Sequence, residues 1–170
     1  MTILKNFGWT TVQNEYAITN ADSQMLPGRV ISIRGFKYIL ITSDGELETE
    51  LSGKLLYGAL PEDLPKVGDW VFYISYDAQG YVISVFPRTN ELARKTPGSK
   101  MQRQILATNI DMALIVQGLD DNFNLMRLER YIVQLTSCSI KCIVVLNKAD
   151  LALMERSTKQ RLPGWVEVVK

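Results

Sequence analysis

Two apolar runs with a helix-like segment between them constrain the fold of this chain more than any other feature. Residues 110–116 and 140–146 are almost continuously apolar, as are parallel strands that are buried on both faces of a sheet. Five apolar residues between the runs recur at helical spacing: Leu125, Leu128, Tyr131, Ile132 and Leu135. A strand, a crossover helix and a second strand predict a right-handed parallel unit of the α/β class.

The sequence after this unit continues the same alternation. Residues 151–162 are predicted to form a further helix, which Pro163 and Gly164 end, and residues 165–169 are predicted to begin a third strand. Because an open sheet that ends there would leave an apolar edge uncovered, we expect the α/β domain to be incomplete.

The first half of the chain follows a different pattern. Five short β-rich runs, separated by Gly, Pro or Asp-Gly turns, occupy residues 29–34, 36–41, 46–51, 67–74 and 81–86. This arrangement predicts a small Greek-key barrel of the OB type. An SH3-like barrel is the alternative, and the sequence alone distinguishes the two folds poorly. Residues before the first run have little periodicity, and we expect a strand or strap that is only partly ordered.

A basic segment follows the barrel pattern. Against one acid, Glu91, it contains Arg88, Arg94, Lys95, Lys100 and Arg103. Its composition and its Pro97-Gly98 pair predict a linker. The chain is therefore expected to divide into an N-terminal extension (1–25), an OB-like barrel (26–87), a basic linker (88–104) and a partial α/β domain (105–170).

Composition excludes several classes of protein. The net charge of +1 does not indicate a globally basic nucleic-acid-binding chain, so a basic surface would have to be local. Two cysteines, Cys138 and Cys142, without any histidine, predict neither a disulfide framework nor a metal site. Since there is also no leader pattern and no apolar run of membrane-spanning length, we expect a cytoplasmic protein that does not enter a membrane.

The tetrapeptide Asn147-Lys148-Ala149-Asp150 lies where the second apolar run gives way to the predicted helix. Ligands of open α/β sheets bind at this end of the strands. The Asp150 carboxylate can accept hydrogen bonds from the ring N–H and exocyclic amine of guanine, and the Lys148 stem can cover the purine face. Asn147 can bind the base edge or brace a neighbouring loop. The alternative is that Asn147 and Asp150 only cap the following helix.

Several short motifs accompany this tetrapeptide in a characteristic order. They are VGDWV at 67–71, RTNELAR at 88–94, Gln104, ATNID at 107–111, NLMRLERY at 124–131 and VVLNKADL at 144–151. In this order and spacing, the chain resembles the ribosome small-subunit-dependent GTPase A family. Members of that family are circularly permuted GTPases with an N-terminal OB-fold, so the resemblance implies an OB-like barrel followed by part of a permuted P-loop GTPase domain.

The resemblance also implies a nucleotide site. It assigns GTP or GDP to Asn147, Lys148 and Asp150, with Mg²⁺ and the phosphate loop expected beyond Lys170 in the full-length protein. The family's zinc element is expected there too. No Gly-x-x-x-x-Gly-Lys-Ser/Thr occurs in the 170 residues, and no catalytic residue is assigned. We therefore expect the isolated chain neither to hydrolyse GTP nor to bind it tightly.

The resemblance finally implies a GTP-dependent role in late maturation of the small ribosomal subunit, in a protein that is monomeric at full length. The barrel and linker would contact ribosomal RNA through basic residues: Arg29, Arg34, Lys37, Lys54, Arg88, Arg94, Lys95, Lys100 and Arg103. Tyr38, Tyr57 and Tyr73 could stack on bases. Two alternatives stay open, namely a non-enzymatic RNA-binding adaptor with a vestigial G domain and a fragment whose sheet is completed by another chain or by self-association.

Overall fold

The computed structural model describes residues 2–76, 79–95 and 103–149. Its contacts divide the chain into two compact units, with the boundary between Asn109 and Ile110. In the described ranges, no helix combines the length and the apolar character needed to cross a membrane.

Five strands of the first unit close into a barrel. They are β1 (Leu26–Arg34), β2 (Lys37–Thr42), β3 (Gly45–Leu51), β4 (Trp70–Tyr76) and β5 (Gln79–Val85). The strand order is β1-β2-β3-β5-β4, and β4 returns to β1 to close the barrel. Strands β3 and β5 pair in parallel, with a short helix α3 (Gly53–Gly58) following β3. This arrangement confirms the OB-like barrel rather than the SH3-like alternative.

The barrel interior is filled by alternate residues of its strands. This core consists of Val30, Tyr38, Leu40, Val71, Tyr73 and Val82. Tyr38 and Tyr73 are only 8% and 3% exposed, so they are core residues and do not present their rings for base stacking. Burial raises the pKa of both phenols above the ordinary value. Tyr57 on α3 is instead 87% exposed.

The N-terminal segment forms two helices, α1 (Thr2–Asn6) and α2 (Thr11–Asn20), where the sequence led us to expect a strand or strap. Thr10 caps α2, and its backbone N–H donates to the Gln13 side chain at 3.0 Å. Trp9 packs edge-on against Trp70, with ring centroids 4.9 Å apart. The helices form because β4 carries aromatic side chains on its outer face, and these require a cover.

The basic linker is also more regular than expected. Strands β6 (Glu91–Lys95) and β7 (Arg103–Thr108) pair antiparallel into a two-stranded ribbon within the first unit. The ribbon packs on one face only, since Ile105 is buried whereas Leu106 is 44% exposed. A short ribbon with mixed polar and apolar residues has too little alternation for the sequence to indicate it.

The second unit confirms the predicted strand, helix and strand. Strands β8 (Met112–Gly118) and β9 (Lys141–Asn147) pair in parallel, and α4 (Leu125–Ser137) lies between them in the chain. Asn124 caps α4 by accepting a hydrogen bond from the Arg127 backbone N–H at 2.9 Å. Leu128 and Leu135 are the buried residues of this helix. The predicted helix at 151–162 and strand at 165–169 lie outside the described residues.

Candidate functional site

Strands β8 and β9 end at the same level of their sheet. Gly118 is paired with Asn147, and the backbone N–H of Leu119 donates to the Asn147 carbonyl at 2.8 Å. The loops that follow the two strands therefore begin side by side. This carboxyl edge is where open α/β sheets bind ligands.

The predicted guanine-binding residues begin at this edge. Asn147 and Lys148 are exposed there, and Asp150 lies outside the described residues. The Asn147 side chain accepts a hydrogen bond from the Lys148 backbone N–H at 2.8 Å, which supports its role in bracing the turn. Lys148 has a φ of +58°, a left-handed conformation that is uncommon for a residue other than glycine. The roles of all three residues in binding guanine stay predictions.

Asp120 belongs to the same edge, and the sequence did not indicate it. Its Oδ2 lies 2.6 Å from the Lys148 ammonium nitrogen, and its Oδ1 accepts the Asn122 backbone N–H at 3.1 Å. The Lys148 hydrogen bond, followed by the Asn122 hydrogen bond, lowers the pKa of Asp120 below its ordinary value. Only its place two residues after the end of β8 could have drawn attention to it.

The loop between β8 and α4 is held at several points. The side-chain amide of Gln117, which is 7% exposed, donates to the Asn124 carbonyl at 3.3 Å. Arg127 donates to the Asn122 carbonyl at 2.6 Å. These contacts fix the loop that carries Asp120.

Metal-binding side chains are not clustered in the part of the chain that the structure describes. Among the described ranges, no cluster of three or more His, Cys, Asp or Glu side chains could hold a metal ion.

A second candidate site is the turn between β1 and β2, where Gly35 adopts a φ of +62°. Phe36 projects from this turn with 89% of its surface exposed, and Arg34 and Lys37 on either side are also exposed. Lys37 forms an ion pair with Glu48 on β3. An aromatic ring between two cations is a suitable arrangement for stacking on a nucleic-acid base.

The pairing from β2 through β3 and β5 to β4 aligns Tyr38 with the residues on either side of the β4–β5 connection. Tyr38 is paired with Thr49, which is paired with Gly80, which in turn is paired with Ser75. A cavity of about 270 Å³ here is lined by residues of β2, β3 and β5: Lys37, Glu48, Thr49, Glu50 and Gln79. The half-exposed Tyr76 ends β4 beside it. By their place in the strand order, the β1–β2 and β4–β5 connections are those with which OB barrels bind oligonucleotides.

Arg29 and Arg88, which were predicted to bind RNA, use their guanidinium groups within the first unit. Arg88 Nη2 and Nε donate to the two carboxylate oxygens of Asp69 at 2.8 and 2.9 Å, and the Asp69 side chain is 0% exposed. Arg29 donates to the Gly68 carbonyl at 3.1 Å, to the Asn109 carbonyl at 2.9 Å and to the Phe7 carbonyl. This geometry supports a structural role, and RNA binding by either residue stays a prediction.

The remaining basic candidates differ in their surroundings. Lys54 and Arg103 are exposed, whereas the exposed Arg94 donates to the Gln104 side chain at 2.9 Å. Lys95 is paired with Arg103 in the backbone register of the ribbon. Lys100 lies outside the described residues. The ribbon thus places several cations on two adjacent strands.

Comparisons with known proteins agree with this geometry. A family model described as RsgA GTPase matches residues 85–166. The small ribosomal subunit biogenesis GTPase RsgA 1 of Bacteroides thetaiotaomicron is 39% identical over 149 residues, which are 87% of this chain and 42% of the relative. RsgA 2 of Lactiplantibacillus plantarum is 38% identical over 172 residues, which cover 99% of this chain and 47% of the relative. The chain therefore spans less than half the length of these two relatives.

Two solved structures share the fold. The circularly permuted GTPase YloQ matches with a TM-score of 0.57 and 23% identity, over 78% of this chain and 44% of that one. YjeQ from Thermotoga maritima matches with a TM-score of 0.60 and 19% identity, over 85% of this chain and 51% of that one. The predicted fold class, an OB-like barrel followed by part of a circularly permuted P-loop GTPase domain, is confirmed. This chain belongs to the RsgA GTPase family and matches the N-terminal region of its members.

Proposed function

We propose that this chain supplies guanine recognition and RNA docking to a GTP-dependent factor in small ribosomal subunit biogenesis. The observation that carries the proposal is the position of Asn147 and Lys148 at the carboxyl end of β9, within the region that the RsgA GTPase model matches. The names of the relatives associate those proteins with small ribosomal subunit biogenesis. A cytoplasmic location follows from this role and stays a prediction.

In the proposed nucleotide site, each residue has one task. The Lys148 stem covers the purine face, while Asn147 holds the turn by binding the backbone of Lys148. Asp150 is the predicted partner of the guanine ring N–H and amine, a pairing that adenine cannot offer. Because a phosphate loop supplies most of the affinity for a triphosphate, we expect these 170 residues to bind nucleotides weakly and not to hydrolyse GTP.

In the proposed RNA site, the barrel acts through what we call the turn surface, formed by Arg34, Phe36, Lys37 and Tyr76. The outer face of β3 carries the acids Glu46, Glu48 and Glu50, all of them exposed. Their charge disfavours phosphate on that face, so contacts fall on the turns at its end. Phe36 and Tyr76 would stack on unpaired bases, and the flanking cations would contact phosphates.

The basic ribbon is a second proposed contact with RNA. Its exposed Arg94 and Arg103 lie on adjacent strands, and Lys95 is paired with Arg103 in the register. Contacts of this kind add affinity without base specificity and weaken as salt concentration rises. The ribbon would therefore strengthen RNA binding whatever the sequence at the turn surface.

Two titrations of the purified chain test the proposal. In the first, GDP and ADP are added at up to millimolar concentration while backbone amide signals are followed by NMR. Shifts of the 119–120 and 147–148 amides with GDP but not with ADP are expected, and equal responses would refute guanine recognition. In the second, fluorescently labelled small-subunit ribosomal RNA is titrated at several salt concentrations. Binding that does not weaken with salt would refute RNA docking.

A further inference from the structure

An ion pair joins the ends of β8 and β9. Asp120 and Lys148 are 28 residues apart in sequence, but the paired strand ends bring Asp120 Oδ2 to 2.6 Å from Lys148 Nζ. The Asp120 side chain is 23% exposed and that of Lys148 is 53% exposed. Neither residue packs into a core, so the pair is not explained by burial.

The carboxylate half of this pair is fixed by its own loop. Asp120 accepts the Asn122 backbone N–H through Oδ1, and its carbonyl accepts the Phe123 N–H at 2.7 Å. A Cβ atom at Gly118 would lie 3.1 Å from Asp120 Oδ2, so a larger residue there would require the carboxylate to shift slightly. The contacts within the loop therefore hold Asp120 independently of Lys148.

The lysine half is fixed at its backbone. Lys148 has a φ of +58°, and its N–H is held by the Asn147 side chain at 2.8 Å. With the ammonium bound to Asp120, the side chain is anchored at both of its ends. The four methylene groups between them span the carboxyl edge of the sheet.

We infer that Asp120 is a positioning residue for Lys148, whose ammonium it holds so that the lysine stem can cover a guanine base. The inference rests on the proposed guanine site. A lysine side chain that is ordered before the nucleotide arrives loses less conformational entropy on binding. Lysine is otherwise a flexible residue whose charge alone does not direct its stem.

If Asp120 positions Lys148, replacing Asp120 should change nucleotide affinity without changing the stability of the fold. An ion pair that solvent reaches contributes little to folding, so replacing Asp120 should leave the thermal midpoint of the second unit nearly unchanged. The ordering of one long side chain should instead change nucleotide affinity by about two- to tenfold. A residue that merely supported the loop would alter both properties together.

The experiment compares the wild-type chain with Asp120→Asn, Asp120→Glu and the matched control Asp121→Asn. Asp121 is an exposed carboxylate in the same loop, so its replacement makes the same change of charge. Each variant is titrated with GDP and with ADP by NMR, and the Lys148 ammonium protons are followed without nucleotide. We expect Asp120→Asn to bind GDP about two- to tenfold more weakly, with faster exchange of those protons. Asp121→Asn should match the wild type.

The outcomes distinguish the inference from the function on which it rests. One outcome is that the wild type prefers GDP to ADP while Asp120→Asn and Asp121→Asn bind GDP with the same affinity. The positioning role is then overturned and guanine recognition stands. If the wild type does not distinguish the nucleotides, guanine recognition and the positioning role both fall. If Asp120→Asn folds poorly, Asp120→Glu is the deciding variant. It keeps the negative charge, so it should retain part of the wild-type affinity for GDP. If it retains none of that affinity, the positioning role is overturned.

Discussion

Arg88 binds Asp69 through two parallel hydrogen bonds, from Nη2 to Oδ2 at 2.8 Å and from Nε to Oδ1 at 2.9 Å. Asp69 also accepts the Thr108 hydroxyl at 2.6 Å and the Lys66 backbone N–H at 2.8 Å. The corner before β4 is thereby joined to the end of β7. A buried carboxylate with four donors stabilises the fold only while its cationic partner is present.

Removal of the Arg88 guanidinium should therefore destabilise the first unit strongly. Arg88→Met leaves Asp69 buried and unpaired, and we expect a loss of about 3–5 kcal/mol in the free energy of unfolding. Urea denaturation followed by tryptophan fluorescence measures this loss. Arg34→Met, which removes an exposed arginine, is the control and should change stability by less than about 0.5 kcal/mol. Equal effects of the two substitutions would contradict the structural role of Arg88.

Gly68 should tolerate a side chain less well than Gly35. Both have a positive φ, +99° and +62°, so alanine is strained at either position. At Gly68, a Cβ atom would also lie 2.1 Å from the Thr108 carbonyl oxygen, whereas at Gly35 nothing lies within 4 Å. We expect Gly35→Ala to cost about 1–2 kcal/mol and Gly68→Ala to cost clearly more. Thermal unfolding of the two variants tests the order.

The N-terminal helices should depend on Trp9. Its ring is 7% exposed and packs against Trp70 and Phe86. Trp9→Ala should reduce the unfolding free energy by about 3–5 kcal/mol. It should also speed hydrogen exchange in α1 and α2 more than in the barrel strands. Phe7→Ala, at a residue 38% exposed, should have a much smaller effect, and unchanged exchange in Trp9→Ala would contradict the packing.

The pKa of Asp120 should report its contact with Lys148. The hydrogen bond from Lys148 lowers this pKa below the ordinary value of 3.8. A lowered pKa means that the contribution of the ion pair is fully present above the unfolded value and is lost as pH falls through the folded one. NMR titration of the carboxyl carbon should therefore give a lower pKa in the wild type than in Lys148→Met. The same pKa in both proteins would argue against the contact.

Phe36 and Arg34 should affect RNA binding in different ways. Phe36→Ala removes a stacking ring and should weaken binding by about 1–3 kcal/mol for one base, with little change in salt dependence. Arg34→Met removes a phosphate contact and should reduce the salt slope of the binding constant by about one. Fluorescence anisotropy with small-subunit ribosomal RNA measures both. Lys5→Met, on α1, is a matched control that should leave affinity and slope unchanged.

Local pattern was sufficient for the regular parts of the molecule. Residues 110–116 and 140–146 are apolar runs, and both lie in or next to the parallel strands of the second unit. The β-rich runs of the first half likewise became the five barrel strands. Strands and amphipathic helices are readable because their side-chain periods of two and 3.6 residues are imposed by the backbone. The same local reading located the Asn147-Lys148 turn at a strand end.

The sequence by itself thus determined the five barrel strands, the two parallel strands with the helix between them, and the position of the Asn147-Lys148 turn, but not the β6–β7 ribbon. Tertiary structure alone decided that Arg29 and Arg88 point into their own unit, that residues 2–20 form helices against β4, and that Asp120 meets Lys148. These contacts join residues 19 to 80 positions apart, as Arg88 to Asp69 and Arg29 to Asn109 show. No local period encodes such pairs, because they depend on which strand ends and loops the closed barrel and the parallel sheet bring together.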